Sequence, residues 1–394
     1  MISSDLFSPA AAAAEPRSGI WTAREIAQQP QMWLHVEKLL AAERASLQQF
    51  IAPIVQDPAS RIVLTGAGTS AFIGQCLQPA LAAGLRCRVD AIATTDVVSA
   101  PQRWRKSEAP TLLVSFARSG NSPESVATLG LAEQLFGNVR HLVVTCNKDG
   151  ELAVRARKMR NAHLLLLPEA TNDRGFAMTS SFSCMLLAAA LVFDAIQPAT
   201  VARLARSAEV LLERMLACVQ PLVAARFERV IYLGSNELLG LAREAALKLL
   251  ELTDGQIATL ADSPLGFRHG PKSMVDRNTL VVVMLSNAAH TRAYDLDLFE
   301  ELRRDGRAGS ILALSGKADG QLSGEHVLFA GMDGATDIEL SLLHMIFAQC
   351  YALAESLAHG LQPDVPNAAG VVNRVVQGVT IYPWKEQGGD VLRR

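Results

Sequence analysis

Residues 61–70 read RIVLTGAGTS, a short run of β-branched and apolar residues that ends in a turn of glycine and hydroxyl residues. Helical spacing of apolar residues follows over 71–82. Four more runs of this kind follow, each ending in a polar turn and most leading into a helical stretch: RCRVDAI (86–92), TLLVSF (111–116), HLVVTC (141–146) and HLLLLP (163–168). Apolar strands that alternate with helices predict an α/β fold in which helices cover both faces of a mainly parallel sheet.

The same pattern recurs in the second part of the chain. Strands near residues 62, 112 and 142 have counterparts near 230, 280 and 311, at offsets of 168, 168 and 169 residues. The later runs read RVIYLGSNE (229–237), TLVVVMLSN (279–287), SILALSGKADG (310–320) and EHVLFAG (325–331). A constant offset over three elements predicts two tandem αβα units, each a mainly parallel, doubly wound sheet.

The expected organisation has four parts. Residues 1–40 are a tail and helical lead-in, 41–200 the first unit, 201–385 the second unit, and 386–394 a tail. Helical spacing over 22–55 leads into the first unit, and the helical segment 200–226 marks the boundary between the units.

Composition excludes several classes of function. The 394 residues are 49% apolar and carry a net charge of −2, so no excess of positive charge favours nucleic acid. The apolar run 185–193 has nine residues, whereas a membrane span needs about 20. The N-terminus lacks the basic and apolar regions of a signal peptide, and the six dispersed cysteines contain no CxxC pair. We therefore expect a cytoplasmic protein with reduced, buried cysteines.

Two turns of the first unit are candidate phosphate loops. Gly68, Thr69 and Ser70 join the first strand to its helix, where backbone N–H groups and hydroxyls can meet an anion. The turn after the third strand offers further donors, and neighbouring strands bring the two turns to one crevice: Arg118, Ser119 and Ser122. A tight turn without a ligand is the alternative. A third reading is a dinucleotide fingerprint, G-x-G-x-x-A, with Asp90 lying 24 residues after Gly66.

A third polar turn spans residues 171–181 and precedes an apolar helix. Thr179 and Ser180 are further candidates for phosphate binding, although N-capping of the helix is an equally good explanation. Arg174 in the same turn is a candidate substrate contact.

The second unit supplies candidates for acid–base chemistry. Glu244, Lys248 and Glu251 stand at i, i+4 and i+7 in REAALKLLELTDG, so they project from one helix face. Residues 253–272 follow as a long irregular segment that holds His269 between Gly266 and Gly270. A carboxylate beside an imidazole is a general acid–base pair, whereas a solvated, salt-bridged helix face is the alternative.

At these residues the chain resembles the two-domain sugar isomerase (SIS) proteins over about residues 40–385. GAGTS and ARSGNS resemble the family's phosphate loops, and EAALKLLEL with FRHGPKS resembles the catalytic helix and His loop in the isomerase half of glucosamine-6-phosphate synthase. TNDRGFAMTSSFS, LGFRHGPKS and NRVVQGVTIYP are similar to the galactosamine-6-phosphate deaminase/isomerase family.

The resemblance implies roles for these residues. Glu251 would move a proton between C1 and C2, His269 would assist ring opening, and Lys248 and Glu244 would support them. It also implies a homodimer, or a higher homo-oligomer, in which His269 comes from the neighbouring subunit. Gln377 stands where the synthase has a lysine that forms a Schiff base with the ketose, and no lysine occurs between Lys317 and Lys385.

The expected activity is conversion of galactosamine 6-phosphate to tagatose 6-phosphate and ammonia, with a sugar phosphate as partner and no metal or organic cofactor. Four alternatives stay open at this point: a plain aldose/ketose phosphate isomerase, a glucosamine-6-phosphate deaminase, a non-catalytic sugar-phosphate sensor, and a nicotinamide-dependent oxidoreductase. The polar helix and His loop argue against the sensor.

Overall fold

The computed structural model describes residues 7, 21–104, 109–318, 320, 322–376 and 378–385. Two five-stranded parallel sheets form its framework. The first has the order β2-β1-β3-β4-β5 and contains β1 (Arg61–Thr65), β2 (Arg88–Ala91), β3 (Thr111–Ala117), β4 (Val139–Thr145) and β5 (Ala162–Leu166). The second has the order β10-β9-β8-β6-β7 and contains β6 (Arg229–Leu233), β7 (Ala258–Asp262), β8 (Thr279–Met284), β9 (Ser310–Ser315) and β10 (His326–Leu328).

The two sheets therefore have the same strand order, 2-1-3-4-5, when each is numbered from its own first strand. The counterparts β1 and β6 begin 168 residues apart, and so do β3 and β8. This confirms the predicted α/β class and agrees with the offset in the sequence. The exact limits of the two units stay a prediction.

Helices cover both sheets. Those of the first half are α1 (Trp21–Ala27), α2 (Gln29–Val55), α3 (Thr69–Gly84), α4 (Thr94–Ser99), α5 (Pro123–Leu135), α6 (Glu151–Ala156) and α7 (Ser180–Val192). Those that follow are α8 (Pro198–Ala224), α9 (Glu237–Leu252), α10 (Pro264–Phe267), α11 (Ala289–Asp305) and α12 (Asp337–Ala358). Short 3-10 turns occupy Pro101–Trp104, Glu169–Thr171 and Pro271–Met274.

One part of the sequence prediction needs correction. The segment 253–272 is not irregular throughout, because it contains β7 and α10. Strand β7 reads ATLAD and is only partly buried, so it lacks the continuous apolar run that marks the central strands. It forms because β6 offers it a parallel edge, with Arg229 paired to Ala258 and Leu233 to Asp262.

The two halves share one apolar core, which runs from α2 and the first sheet through α9 and α12 to the second sheet. Helices α3 and α9 approach closely at Gly240, where a Cβ would lie 2.7 Å from the backbone nitrogen of Cys76. Arg243 of α9 donates to Gln75 Oε1 of α3 over 2.7 Å. The middle of α3 and helix α9 are thereby held together.

Helix α12 lies in the middle of this core and begins with a capping box formed by Thr336 and Glu339. It is long and apolar enough to cross a membrane by length and composition, but 94% of its apolar window is buried inside the protein. The core helix of a soluble protein can be equally long and apolar, and burial of this extent is typical of a core helix. The six cysteines are unpaired, and all but Cys218 are buried.

Candidate active site

The polar face of α9 meets the first predicted phosphate loop. Lys248 Nζ donates to Thr69 Oγ1 over 2.9 Å and also to the carboxylate of Glu251. Glu244 Oε1 lies 3.5 Å from the same nitrogen. The spacing of i, i+4 and i+7 on a helix brings these three side chains together, and the close contact of α9 with α3 brings Thr69 to them. The structure thus joins a loop of the first sheet to a helix of the second.

Burial and charge fix the protonation of this group. Burial alone lowers the pKa of Lys248, but the carboxylates of Glu244 and Glu251 outweigh it, so the pKa lies above its usual range. Lys248 therefore stays a cation at neutral pH and is not an amine nucleophile. Burial raises the pKa of Glu244 to about 8, with Lys248 opposing the shift. One lysine balances one carboxylate, so Glu244 holds a proton near neutral pH.

Exposure separates the roles of the three residues. The side chains of Glu244 and Lys248 are 0% and 1% exposed, whereas that of Glu251 is 23% exposed. Glu251 is thus the member of this group that a ligand can touch. Glu244 and Lys248 lie behind it, and Lys248 orients the Glu251 carboxylate through its ion pair.

The two predicted phosphate loops have unusual backbone conformations. Gly68 and Gly120 have φ values of +54° and +68°, which glycine adopts without strain. A Cβ at Gly66 would lie 2.6 Å from the backbone of Ser70, so the first loop also needs glycine there. Both loops follow the carboxyl ends of adjacent strands, β1 and β3. Their donors consequently border one crevice.

The serine hydroxyls of these loops make few hydrogen bonds to the described residues. Ser70 Oγ lies 3.9 Å from Met178 Sδ, and Ser119 Oγ accepts a hydrogen bond from the amide of Asn121. Ser122 precedes α5, and its side chain makes no capping hydrogen bond to that helix. These hydroxyl groups retain capacity to donate to a ligand.

The carboxylate of Asp90 is already paired with two arginines. Its carboxylate receives Arg61 Nε at 2.6 Å and Arg88 Nε at 2.9 Å. A dinucleotide would require this carboxylate to accept hydrogen bonds from a ribose. The two arginines compete for the same oxygens, which disfavours the dinucleotide interpretation.

The third turn, residues 171–181, is organised by Asp173. This buried carboxylate accepts hydrogen bonds from the amides of Thr179 and Ser181 at 2.7 and 2.9 Å and from both of their hydroxyls. Ser180 Oγ donates to the backbone oxygen of Glu25. Thr179 and Ser180 are fully buried. The placement argues against phosphate contacts by Thr179 and Ser180, whose hydroxyls hold the turn instead.

Arg118 and Arg174 lie in different environments. Arg118 is buried and donates to the carbonyls of Phe176 and Arg374 at 3.0 and 2.6 Å, so it anchors the C-terminal segment beside the loops. Burial, with repulsion from Arg374, lowers its pKa to about 10, so it remains charged. The Arg174 guanidinium lies over the ring of Trp21 at 4.5 Å. That contact belongs to a separate cleft of about 820 Å³.

Two residues that the sequence analysis missed hold the third turn and the start of α1. Glu25 of α1 accepts hydrogen bonds from the amides of Arg174 and Gly175, and burial raises its pKa to about 8. Asp364, beyond α12, accepts from the amides of Trp21 and Thr22 and so caps α1. The sequence feature that could have indicated a role for Glu25 is an acidic residue within an apolar helical pattern. No local sequence feature indicated a role for Asp364.

Among the described residues, His269 makes no hydrogen bond or ion pair with Glu251. It is exposed, and no hydrogen bond or ion pair of its side chain occurs among the described residues. Its loop is held firmly, because Arg268 pairs with Asp297 and Glu301, and Lys272 with Glu301 and Asp305, all on α11. The loop therefore presents an exposed imidazole from a fixed base. Gln377 lies outside the described residues.

No cluster of three or more His, Cys, Asp or Glu side chains suited to a metal occurs in the described part of the chain. The site is built instead from a carboxylate, a fixed cation and hydroxyl-bearing loops. This set of groups suits proton transfer on a ligand that carries a phosphate.

Comparison with known proteins agrees with this chemistry. Residues 57–195 match the model of the SIS domain. D-galactosamine-6-phosphate deaminase AgaS of Escherichia coli is 44% identical over 96% of this chain and 99% of its own length. The chain belongs to the AgaS family of SIS-domain proteins. Membership of this family confirms the predicted resemblance and identifies the two sheets as SIS folds.

A solved structure of the same family fits along nearly the whole chain. The crystal structure of tagatose-6-phosphate ketose/aldose isomerase from Escherichia coli has a TM-score of 0.86, with 41% identity over 96% of this chain and 100% of that one. A more distant relative is glutamine–fructose-6-phosphate aminotransferase (isomerizing) of Haemophilus influenzae, 24% identical over 72% of this chain and 46% of its own length.

Proposed function

We propose that this AgaS-family enzyme converts galactosamine 6-phosphate to tagatose 6-phosphate and ammonia. The observation that carries the proposal is the Lys248 bridge, which joins Thr69 of a phosphate loop to Glu251, the partly exposed carboxylate. A sugar anchored by its phosphate at that loop has its other end within the reach of Glu251. The activity named for the Escherichia coli relative supports this substrate.

The phosphate is held by Thr69, Ser70, Ser119 and Ser122, which offer hydroxyl groups at the ends of β1 and β3. Anchoring C6 restricts the open-chain sugar and sets C1 and C2 against Glu251. Gly68 lets the backbone approach the phosphate, and Arg118 supplies positive charge behind the second loop.

Proton transfer then follows on the open-chain aldehyde. Glu251 removes the proton from C2, whose acidity is raised by the C1 carbonyl, and returns it to C1, while the C1 oxygen gains a proton and the C2 amino group loses one. The product is an imine at C2, and water hydrolyses it to the ketone of tagatose 6-phosphate and ammonia. Lys248 stays charged and holds the Glu251 carboxylate, while buried Glu244 remains protonated and adds no second negative charge. These steps need no electron transfer.

Ring opening is assigned to His269 of a neighbouring copy of the chain. The imidazole is exposed on a loop fixed to α11 and makes no bond to Glu251 of its own chain among the described residues. A homodimer in which each copy supplies His269 to the other would complete both sites. A cytoplasmic location fits the six free cysteines.

The experiment that tests the activity is ammonia release from galactosamine 6-phosphate and, separately, glucosamine 6-phosphate, with consumption of tagatose 6-phosphate as a third arm. Ammonia from the galacto substrate supports the proposal, and ammonia from the gluco substrate alone would move the assignment to a glucosamine-6-phosphate deaminase. No ammonia from either would contradict deamination.

A plain isomerase is the second candidate, because the solved Escherichia coli relative is named as a tagatose-6-phosphate ketose/aldose isomerase. Glu251 and His269 would serve that reaction equally. Consumption of tagatose 6-phosphate without ammonia release from either amino sugar would favour it. The sequence has no lysine between Lys317 and Lys385, so a C-terminal Schiff base with the ketose is not assigned.

A further inference from the structure

The loop after β6 repeats the backbone of the first phosphate loop. Gly68 has φ 54° and ψ −127°, and Asn236, 168 residues later, has φ 52° and ψ −117°. A Cβ at Gly66 would lie 2.6 Å from the backbone of Ser70, and one at Gly234 would lie 2.4 Å from the backbone of Leu238. Asn236 keeps this conformation although it is unfavourable for a residue with a side chain. The second sheet thus carries the same turn.

The donors of this second turn are already occupied by carboxylates of the protein. Ser235 Oγ donates to Asp295 Oδ1 over 2.8 Å, and the amide of Ser286 donates to Asp295 Oδ2 over 3.0 Å. Ser286 Oγ and the amide of Asn287 donate to the two oxygens of Asp337 at 2.5 and 2.8 Å. Ser235 follows β6, and Ser286 and Asn287 follow β8, so these are the counterparts of the two phosphate loops.

The first half has uncharged residues at the corresponding positions. Asp295 stands 168 residues after Ala127, and Glu237 stands 168 residues after Thr69. Asp337 opens α12 after the N-cap Thr336, as Ser180 opens α7 after the N-cap Thr179. Three acids consequently surround the second turn where the first half has alanine, threonine and serine.

A cleft of about 910 Å³ opens beside the second turn and is lined in part by Ser235, Asn236, His290 and Thr291. A ligand could reach this region. Of the donors named above, only Ser235 lines this cleft, and its hydroxyl is already bonded to Asp295.

We propose that Asp295 and Asp337 occupy the second half's counterpart of the phosphate site, so that each chain binds one sugar phosphate instead of two. Their carboxylates accept the hydrogen bonds that a phosphate monoester would otherwise receive, and Glu237 adds repulsion at the same turn. The second half then contributes α9 to catalysis while its own crevice is closed to substrate. The inference rests on the proposed function for the position of the first phosphate site.

The test counts binding sites with galactitol 6-phosphate, an open-chain sugar phosphate that has no carbonyl and cannot react. Equilibrium dialysis is expected to give one site per chain for the unaltered protein. The variant Glu237→Thr/Asp295→Ala/Asp337→Ser carries the residues of the first half and is expected to bind a second equivalent. Two sites on the unaltered protein would overturn the proposal, and so would a folded triple variant that gains none.

The reciprocal variant keeps the test decisive if the triple variant does not fold. Ala127→Asp places a carboxylate in the first half where Asp295 stands in the second, and it is expected to abolish binding there. Full binding by folded Ala127→Asp would overturn the proposal. If the unaltered protein binds no equivalent, the proposed phosphate site is wrong, whereas a gain of one site by the triple variant would still support the closed second site.

Discussion

Lys248 Nζ lies 2.9 Å from Thr69 Oγ1, so a lysine on a helix of the second half is bonded to a residue in the predicted phosphate loop of the first half. The two residues are 179 positions apart in sequence. Because the same ammonium group also binds Glu251, movement of either half displaces the carboxylate relative to the loop. The site depends on the contact between the halves.

Replacement of Lys248 by methionine is expected to lower the rate of ammonia release by about 100-fold or more, because Glu251 loses the cation that orients it. The variant also leaves the Glu251 carboxylate without its buried counter-charge, so its melting temperature should fall. Steady-state kinetics and thermal unfolding measure the two effects. Lys38→Met, on an exposed face of α2, is the matched control. Unchanged turnover in folded Lys248→Met would contradict the assigned role.

Glu251→Gln is expected to lose turnover by about 100-fold to 10,000-fold, the usual contribution of a general base. The amide keeps the shape of the side chain, so binding of galactitol 6-phosphate should be retained within a few-fold. Kinetics and equilibrium dialysis on the same sample separate the two quantities. Glu209→Gln on α8 should behave like the unaltered protein. Near-normal activity in Glu251→Gln would show that another group takes the C2 proton.

Mixing two inactive variants tests the shared site. In a dimer of one Glu251→Gln chain and one His269→Ala chain, one of the two sites has both groups intact if His269 acts across the interface. Random reassociation of equal amounts should therefore restore about one quarter of the unaltered activity. Absence of restored activity, with mixed dimers demonstrated by mass spectrometry, would argue that His269 acts within its own chain.

The effect of Glu244 on stability should depend on pH. Burial raises its pKa from 4.5 to about 8, so over that range the folded protein keeps a proton that the unfolded chain releases. The contribution of this group to stability therefore falls as pH rises through that window and is constant above it. Glu244→Gln should gain melting temperature relative to the unaltered protein between pH 5 and 8. A difference that does not change with pH would show that Glu244 is ionised throughout; exposed Glu209→Gln is the control.

Asp173 should be important for stability, because four hydrogen bonds from Thr179 and Ser181 converge on its carboxylate. Asp173→Ala leaves these buried donors unpaired, and we expect a loss of about 2–4 kcal/mol in the free energy of unfolding. Denaturant titration measures it, with exposed Asp149→Ala as the control. A loss below about 0.5 kcal/mol, the range of ordinary surface substitutions, would contradict the role.

Local sequence predicted the framework because strands and helices follow from the spacing of neighbouring apolar residues. The strands near residues 61, 111 and 141, their counterparts, and the shared face of Glu244, Lys248 and Glu251 all depend on such spacing. Strand β7 escaped prediction, since its residues are partly polar and it forms because β6 provides a pairing edge.

The sequence by itself determined two repeated α/β units, two hydroxyl-rich loops and an acid–lysine–acid helix face. Only the tertiary structure decided that Lys248 reaches Thr69, that Asp173 and Glu25 hold the third turn, and that Asp295 and Asp337 accept hydrogen bonds from Ser235 and Asn287. The physical reason is that periodicity is a property of adjacent residues. Hydrogen bonds and pKa shifts between distant residues depend on how helices pack and on which side chains that packing buries.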